Sequence, residues 1–186
     1  MRIIGHRGAR GEAPENTLGG FRYLHDLGVR AVEFDVRQLQ DGQLIVIHDD
    51  NFQRTTGRSQ HVESCDLATA QQFDHRHQWQ AWENEEYTPH LTDVMACLTE
   101  FEHIEVEIKA VADEAAAERL ILSLHNELKG FKKNATITSF DVKILTALQQ
   151  HHSHFKRGLL VEIPLGEYAI ELAQQYGCCQ IGWKDQ

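Results

Sequence analysis

Hydrophobic and polar positions alternate along this chain in two rhythms. Short β-rich runs are separated by stretches with the helical spacing of apolar residues. The pattern predicts a first core strand from Ile3-Ile4. A helix follows over Leu18, Phe21, Leu24 and Leu27, capped by Asn16 or Thr17 and stopped by Gly28. Strands are expected at 31–36, 43–48, 104–109, 135–139, 157–161 and 178–183, and further helices at 113–128, 141–150 and 166–176. The run Leu44-Ile45-Val46-Ile47 reads as a strand buried on both faces, the habit of parallel sheets. Alternation of this kind predicts an α/β fold with a parallel sheet and helices outside it.

One stretch breaks the rhythm. Residues 49–90 are polar, contain Trp79 and Trp82, and show no obvious strand. They are expected to form an insertion after the third strand, over the end where parallel barrels carry their chemistry. The tract His151-His152-Ser153-His154 looks like a metal tract, but the end of a helix is the better reading, since the helix dipole favours imidazole there.

Alternation also places the acids. Side chains on a strand point to opposite faces in turn, so Glu33 and Asp35 share one face about 6.5 Å apart, while Val32, Phe34 and Val36 face the helices. Two such carboxylates need either a divalent cation or salt-bridge partners. In the run 104–109, Glu105, Glu107 and Lys109 share a face. Glu107 can join a hard cation's oxygen ligands, and Lys109, one step further along, can meet a phosphate. His6 and His48 fall at strand ends, the chemical face of a parallel barrel, where two imidazoles suit general acid and general base. Arg7 can offer a planar fork either to a phosphate or to Glu15.

Composition narrows the picture. With 186 residues and 41% hydrophobic content, the chain suits one globular domain, residues 1–186. A formal net charge of −10 argues against nucleic acid and anionic membranes as partners. It also means that positive charge for an anionic substrate must be supplied locally. Cys65, Cys97, Cys178 and Cys179 form no disulfide framework. No run is apolar enough for a membrane anchor, and no leader is evident, so the cytoplasm is the expected location.

Taken together, His6-Arg7-Gly8, Pro14-Glu15-Asn16-Thr17, Glu33-x-Asp35, His48-Asp49, Arg54-Thr55-Thr56-Gly57 and Glu107-Ile108-Lys109 resemble the glycerophosphodiester phosphodiesterases. Thr88-Pro89-His90-Leu91 is similar to a segment that opens a helix in that family, and Thr138-Ser139-Phe140 to its Ser-Phe element. The resemblance implies a TIM-type (β/α) barrel and hydrolysis of a small glycerophosphodiester to glycerol 3-phosphate and an alcohol. It implies His6 and His48 as general acid and base, Mg²⁺ or Ca²⁺ on Glu33, Asp35 and Glu107, and phosphate contact by Lys109. The alternatives are a phospholipase C- or D-like lipid phosphodiesterase and a degenerate barrel that only binds. The family's last βα unit has no counterpart before Gln186. The sequence-based expectation is therefore a barrel that is not self-sufficient, completed by further chain or by a second copy in a homo-oligomer.

Overall fold

The computed structural model describes residues 2–131 and 133–184; Gln186, named above, lies outside them. Its first strand, β1 (Gly5–His6), pairs in parallel with β2 (Ala31–Gln38), in the register Gly5↔Val32 and His6↔Glu33. The expected strand at Ile3-Ile4 is not formed. Ile3 is 67% exposed and Ile4 38%, so neither contributes to the core. Between β1 and β2 lies α1 (Leu18–Asp26). Thr17 caps it by accepting from the Gly20 N–H at 3.0 Å, and the buried face carries Phe21 and Leu24. Phe21 meets Phe34 of β2 edge-on, with ring centroids 5.8 Å apart, which fixes the outward face of β2 as predicted.

The third strand departs from expectation. β3 (Leu44–Val46) runs antiparallel to β2, off the path of the parallel strands, with Val36 opposite Val46 and Gln38 opposite Leu44. Its three residues are fully buried, as the apolar run foretold. The cover comes from a different source, however. Ile45 and Ile47 enter a small core with Leu39 and with Phe52, Val62, Cys65, Ala70 and Phe73, the last five drawn from the segment that follows. Burial on both faces is the habit of a parallel strand; here the polar-looking insertion supplies one of the two covers.

That insertion is built from short pieces: α2 (Gln53–Thr56), a 3-10 turn (Val62–Ser64) and α3 (Leu67–Ala70). Phe52 and Phe73 pack edge-to-face at 4.9 Å between centroids. Gly57 closes α2 in the left-handed region, at φ 77°, where a side chain would be strained. The segment returns through Pro89, whose carbonyl accepts from Val46 N, and His90 caps α4 (Leu91–Cys97).

The chain divides into two units, Met1–Ile104 and Glu105–Gln186. β4 (His103–Ile108) begins in the first, where Arg30 O accepts from the N–H groups of Glu102 and His103. In the second unit α5 (Glu114–Glu127) buries Ala117, Leu120, Ile121 and Leu124, one stripe at helical spacing. β5 (Ala135–Ser139), β6 (Lys156–Val161) and β7 (Gln180–Trp183) pair in parallel, with α6 (Val142–Gln150) and α7 (Tyr168–Gln175) as their crossovers. His151 is the C-cap of α6, so the histidine tract does sit at a helix end. Among the described residues no helix is long and apolar enough to cross a membrane.

Candidate active site

The first unit gathers five of the predicted residues around the end of β1 and the middle of β2. β1 pairing sets His6 beside Glu33, and His6 Nε2 lies 3.8 Å from Glu33 Oε2. The same carboxylate oxygen accepts from Arg7 N at 3.0 Å. Asp35, fully buried, lies two residues further along the same face. Its Oδ2 accepts from Asn16 Nδ2 at 2.8 Å and lies 3.3 Å from Arg7 Nε. Burial and the neighbouring Arg7 and Arg10 guanidiniums lower the His6 pKa, against a smaller pull upward from Asp35 and Glu15.

Arg7 and Asn16 both have left-handed backbones, at φ 53° and 56°. Non-glycine residues adopt that region at a cost of about 1–2 kcal/mol, so side-chain contacts must hold them there. Arg7 has such contacts. Besides Asp35, it donates through Nη1 to Glu15 Oε1 at 3.0 Å. Glu15 is one of the two partners that sequence offered for Arg7.

His48 follows β3 and completes the five. Its Nδ1 is 2.7 Å from Asp49 Oδ1, and its backbone carbonyl accepts from Arg37 Nε at 2.9 Å. Asp49 Oδ2 accepts from Arg54 Nε at 2.7 Å. Arg54 also forks onto both oxygens of Glu15, at 2.8 and 2.7 Å. Burial pushes the Glu15 carboxyl up, but Arg54 and Arg7 together outweigh it and hold the pKa at about 2. Asp49 is likewise held below the usual carboxylate range, Arg54 and His48 outweighing its burial.

The second unit carries the remaining two. Glu107 is buried near the end of β4, and Lys109 Nζ lies 2.5 Å from its Oε1. The end of β4 is tied down by Ser139, whose hydroxyl donates to Ile108 O at 2.7 Å and accepts from Asp141 N. Asp141 in turn accepts from Val111 N and caps α6. The Ser-Phe element is thus the clamp on the segment that bears Glu107 and Lys109.

Sequence reasoning gave Asn16 only as a possible helix cap, assigned no part to Asp49 or Arg54, and gave Glu15 only as one partner for Arg7. The signal was available in the quoted motifs, but their pairing is set by the fold, since Arg54 and Glu15 are 39 residues apart.

Parallel α/β units with acids, histidines and guanidiniums gathered near strand ends are the arrangement of a TIM-type protein. The profile of the glycerophosphoryl diester phosphodiesterase family matches residues 6–182, and the chain belongs to that family. It is 30% identical over 168 residues to a glycerophosphodiester phosphodiesterase of Caldanaerobacter subterraneus subsp. tengcongensis, covering 89% of this chain and 68% of that protein. It is also 30% identical over 152 residues to mouse glycerophosphodiester phosphodiesterase 1, covering 79% of this chain and 45% of the mouse protein. The chain therefore spans only part of the length of these relatives. Among solved structures, a phosphodiesterase from Oleispira antarctica superposes with a TM-score of 0.88 at 24% identity, over 98% of this chain and 74% of that one. A glycerophosphodiester phosphodiesterase from Agrobacterium tumefaciens gives 0.76 at 20% identity, over 100% and 87%. These likenesses show the fold, a TIM-type α/β architecture.

Proposed function

We propose that this chain hydrolyses a glycerophosphodiester to glycerol 3-phosphate and an alcohol, using a divalent cation, Mg²⁺ or Ca²⁺. The observation that carries the reading is the register of β1 on β2. It sets His6 against Glu33 with Asp35 next on the same face, in a chain of the phosphodiesterase family. The product-bound Oleispira antarctica relative, described as a complex with sn-glycerol-3-phosphate, supports the substrate class.

Glu33, Asp35 and Glu107 would hold the cation. All three are carboxylates, at least half buried, and hard oxygen donors are what Mg²⁺ and Ca²⁺ prefer. When bound, the cation supplies charge neutralisation at the phosphoryl oxygens. His6 and His48 act as general acid and base between the attacking and leaving oxygens. Lys109 contacts the phosphate as a point charge, and Arg7 adds positive charge beside Asp35. Residues 49–90 form the wall on the His48 side. Free thiols at Cys65, Cys97, Cys178 and Cys179 fit a cytoplasmic enzyme acting on a small soluble diester.

Turnover of glycerophosphocholine and glycerophosphoethanolamine, with and without EDTA, is the test. Activity lost on chelation and restored by Mg²⁺ or Ca²⁺ is expected. Full turnover after thorough chelation would remove the cation from the reading. No turnover on either diester, with cation present, would remove the activity.

A further inference from the structure

The two histidines lie on separate segments, His6 at the end of β1 and His48 beyond β3. A continuous series of hydrogen bonds and ion pairs runs between them through α2. His48 Nδ1 meets Asp49 Oδ1 at 2.7 Å, and Asp49 Oδ2 accepts from Arg54 Nε at 2.7 Å. Arg54 Nη1 and Nη2 donate to Glu15 at 2.8 and 2.7 Å, and Glu15 Oε1 accepts from Arg7 Nη1 at 3.0 Å. Arg7 N then donates to Glu33 Oε2, the oxygen that faces His6.

All three guanidinium nitrogens of Arg54 are used, on two different carboxylates. A lysine has the charge but not the planar fork, and it could not hold both partners in a fixed orientation. Nothing about Arg54 suggests a purely solvated charge. Its side chain is only 36% exposed. Its helix is pinned by Phe52 in the small core and by His77 N donating to Thr55 O at 3.1 Å.

We infer that Arg54 is a positioning residue: through Asp49 it fixes His48 with the proton on Nδ1 and the Nε2 lone pair presented to substrate, and through Glu15 it sets that imidazole relative to Arg7 and His6. The tautomer follows from the partners. An ionised Asp49 can only accept, and its second oxygen is already filled by Arg54, so the hydrogen between His48 and Asp49 belongs to Nδ1. On this account the insertion does more than cover the site, because α2 is what brings Arg54 to Asp49 and Glu15. The inference deepens the proposed phosphodiesterase reading and rests on it for the kinetic part only.

The test uses the intact chain with ¹⁵N-labelled histidine, the His48 signals being assigned with H48N. Ring-nitrogen shifts are read at about pH 8.5, above the ordinary histidine titration. The parent should show the Nδ1-protonated pattern at His48. D49A should revert to the Nε2-protonated form that free imidazole prefers. R54Q and R54K should both move His48 towards averaged shifts. Each should also lower kcat about 10- to 100-fold with KM within about twofold, the mark of a misplaced catalytic group rather than lost binding. An Nε2-protonated His48 in the parent would overturn the inference even if no variant folds. So would R54K with parental shifts and parental kcat. A parent without turnover, but with the Nδ1 pattern that R54Q disturbs, would overturn the phosphodiesterase reading and support the bracing.

Discussion

Asn16 holds Asp35 from two sides: its Nδ2 donates to Asp35 Oδ2 at 2.8 Å, and its Oδ1 accepts from Asp35 N at 3.4 Å. It does so from a left-handed backbone at φ 56°, with 1% of its surface exposed. Asn16→Ala should therefore destabilise the chain by about 2–4 kcal/mol, from backbone strain and from a donor lost by a buried carboxylate. Asn16→Gly should recover the backbone part alone. Urea unfolding of both variants separates the two, and equal losses would show that the left-handed backbone costs nothing.

His6→Ala and His48→Ala should each lower kcat by about 10²–10⁴-fold while leaving stability nearly unchanged. The His6 side chain is 57% exposed and that of His48 34%, so neither fills core volume. Steady-state kinetics alongside thermal unfolding is the measurement. Near-normal turnover in either variant would remove that histidine from acid–base work, and failure to fold would make its role structural.

Lys109→Met should weaken binding of glycerol 3-phosphate and leave cation affinity unchanged or higher. The ammonium sits directly on Glu107, so its removal frees a carboxylate and takes a like charge away from a cation. Calorimetric titration with product and with Mg²⁺ distinguishes the two effects. Parental affinity for glycerol 3-phosphate would show that Lys109 serves Glu107 and not the phosphate.

Stability should fall in mild acid because of His75. This ring is buried, and its Nε2 lies 2.8 Å from Thr88 Oγ1. Burial, with a small contribution from Arg54, lowers its pKa from 6.5 to about 4, against the pull of Glu15 and Asp74. The folded value is depressed, so the unfolded chain binds the proton first. The neutral ring's contribution is complete above pH 6.5, and declines as pH falls to about 4. The loss should reach about 3 kcal/mol. In His75→Gln the slope of stability against pH should flatten across that window; an unchanged slope would place the acid sensitivity elsewhere.

What sequence revealed, and what it hid, follows from range. Period-two alternation put Glu33 with Asp35 and Glu107 with Lys109 correctly, because a strand imposes it locally. Thr17, Asp113 and Asp141 were legible as helix starts for the same reason. The direction of β3 was not legible. An apolar run reports that both faces are covered, not by what, and the cover over Ile45 comes from Phe52, Val62 and Phe73. Ile3 and Ile4 differ from expectation because hydrophobicity alone does not supply a pairing partner. The buried ring of His75 was missed inside a segment whose composition looked solvated.

The pairing of β2 has a further consequence. Along one edge the Glu33 carbonyl receives Gly8 N at 3.3 Å, and the Asp35 carbonyl receives Ile47 N at 3.0 Å. One chain segment hands this edge to another between two successive carbonyls, those of the two carboxylate-bearing residues. Arg7 and Gly8, both at positive φ, are where the first segment turns aside. His6 stands two residues before one of these docking points and His48 one residue after the other. Both imidazoles are thus surveyed from a single datum, and a twist or slide of β2 becomes a common-mode displacement that leaves their separation nearly constant.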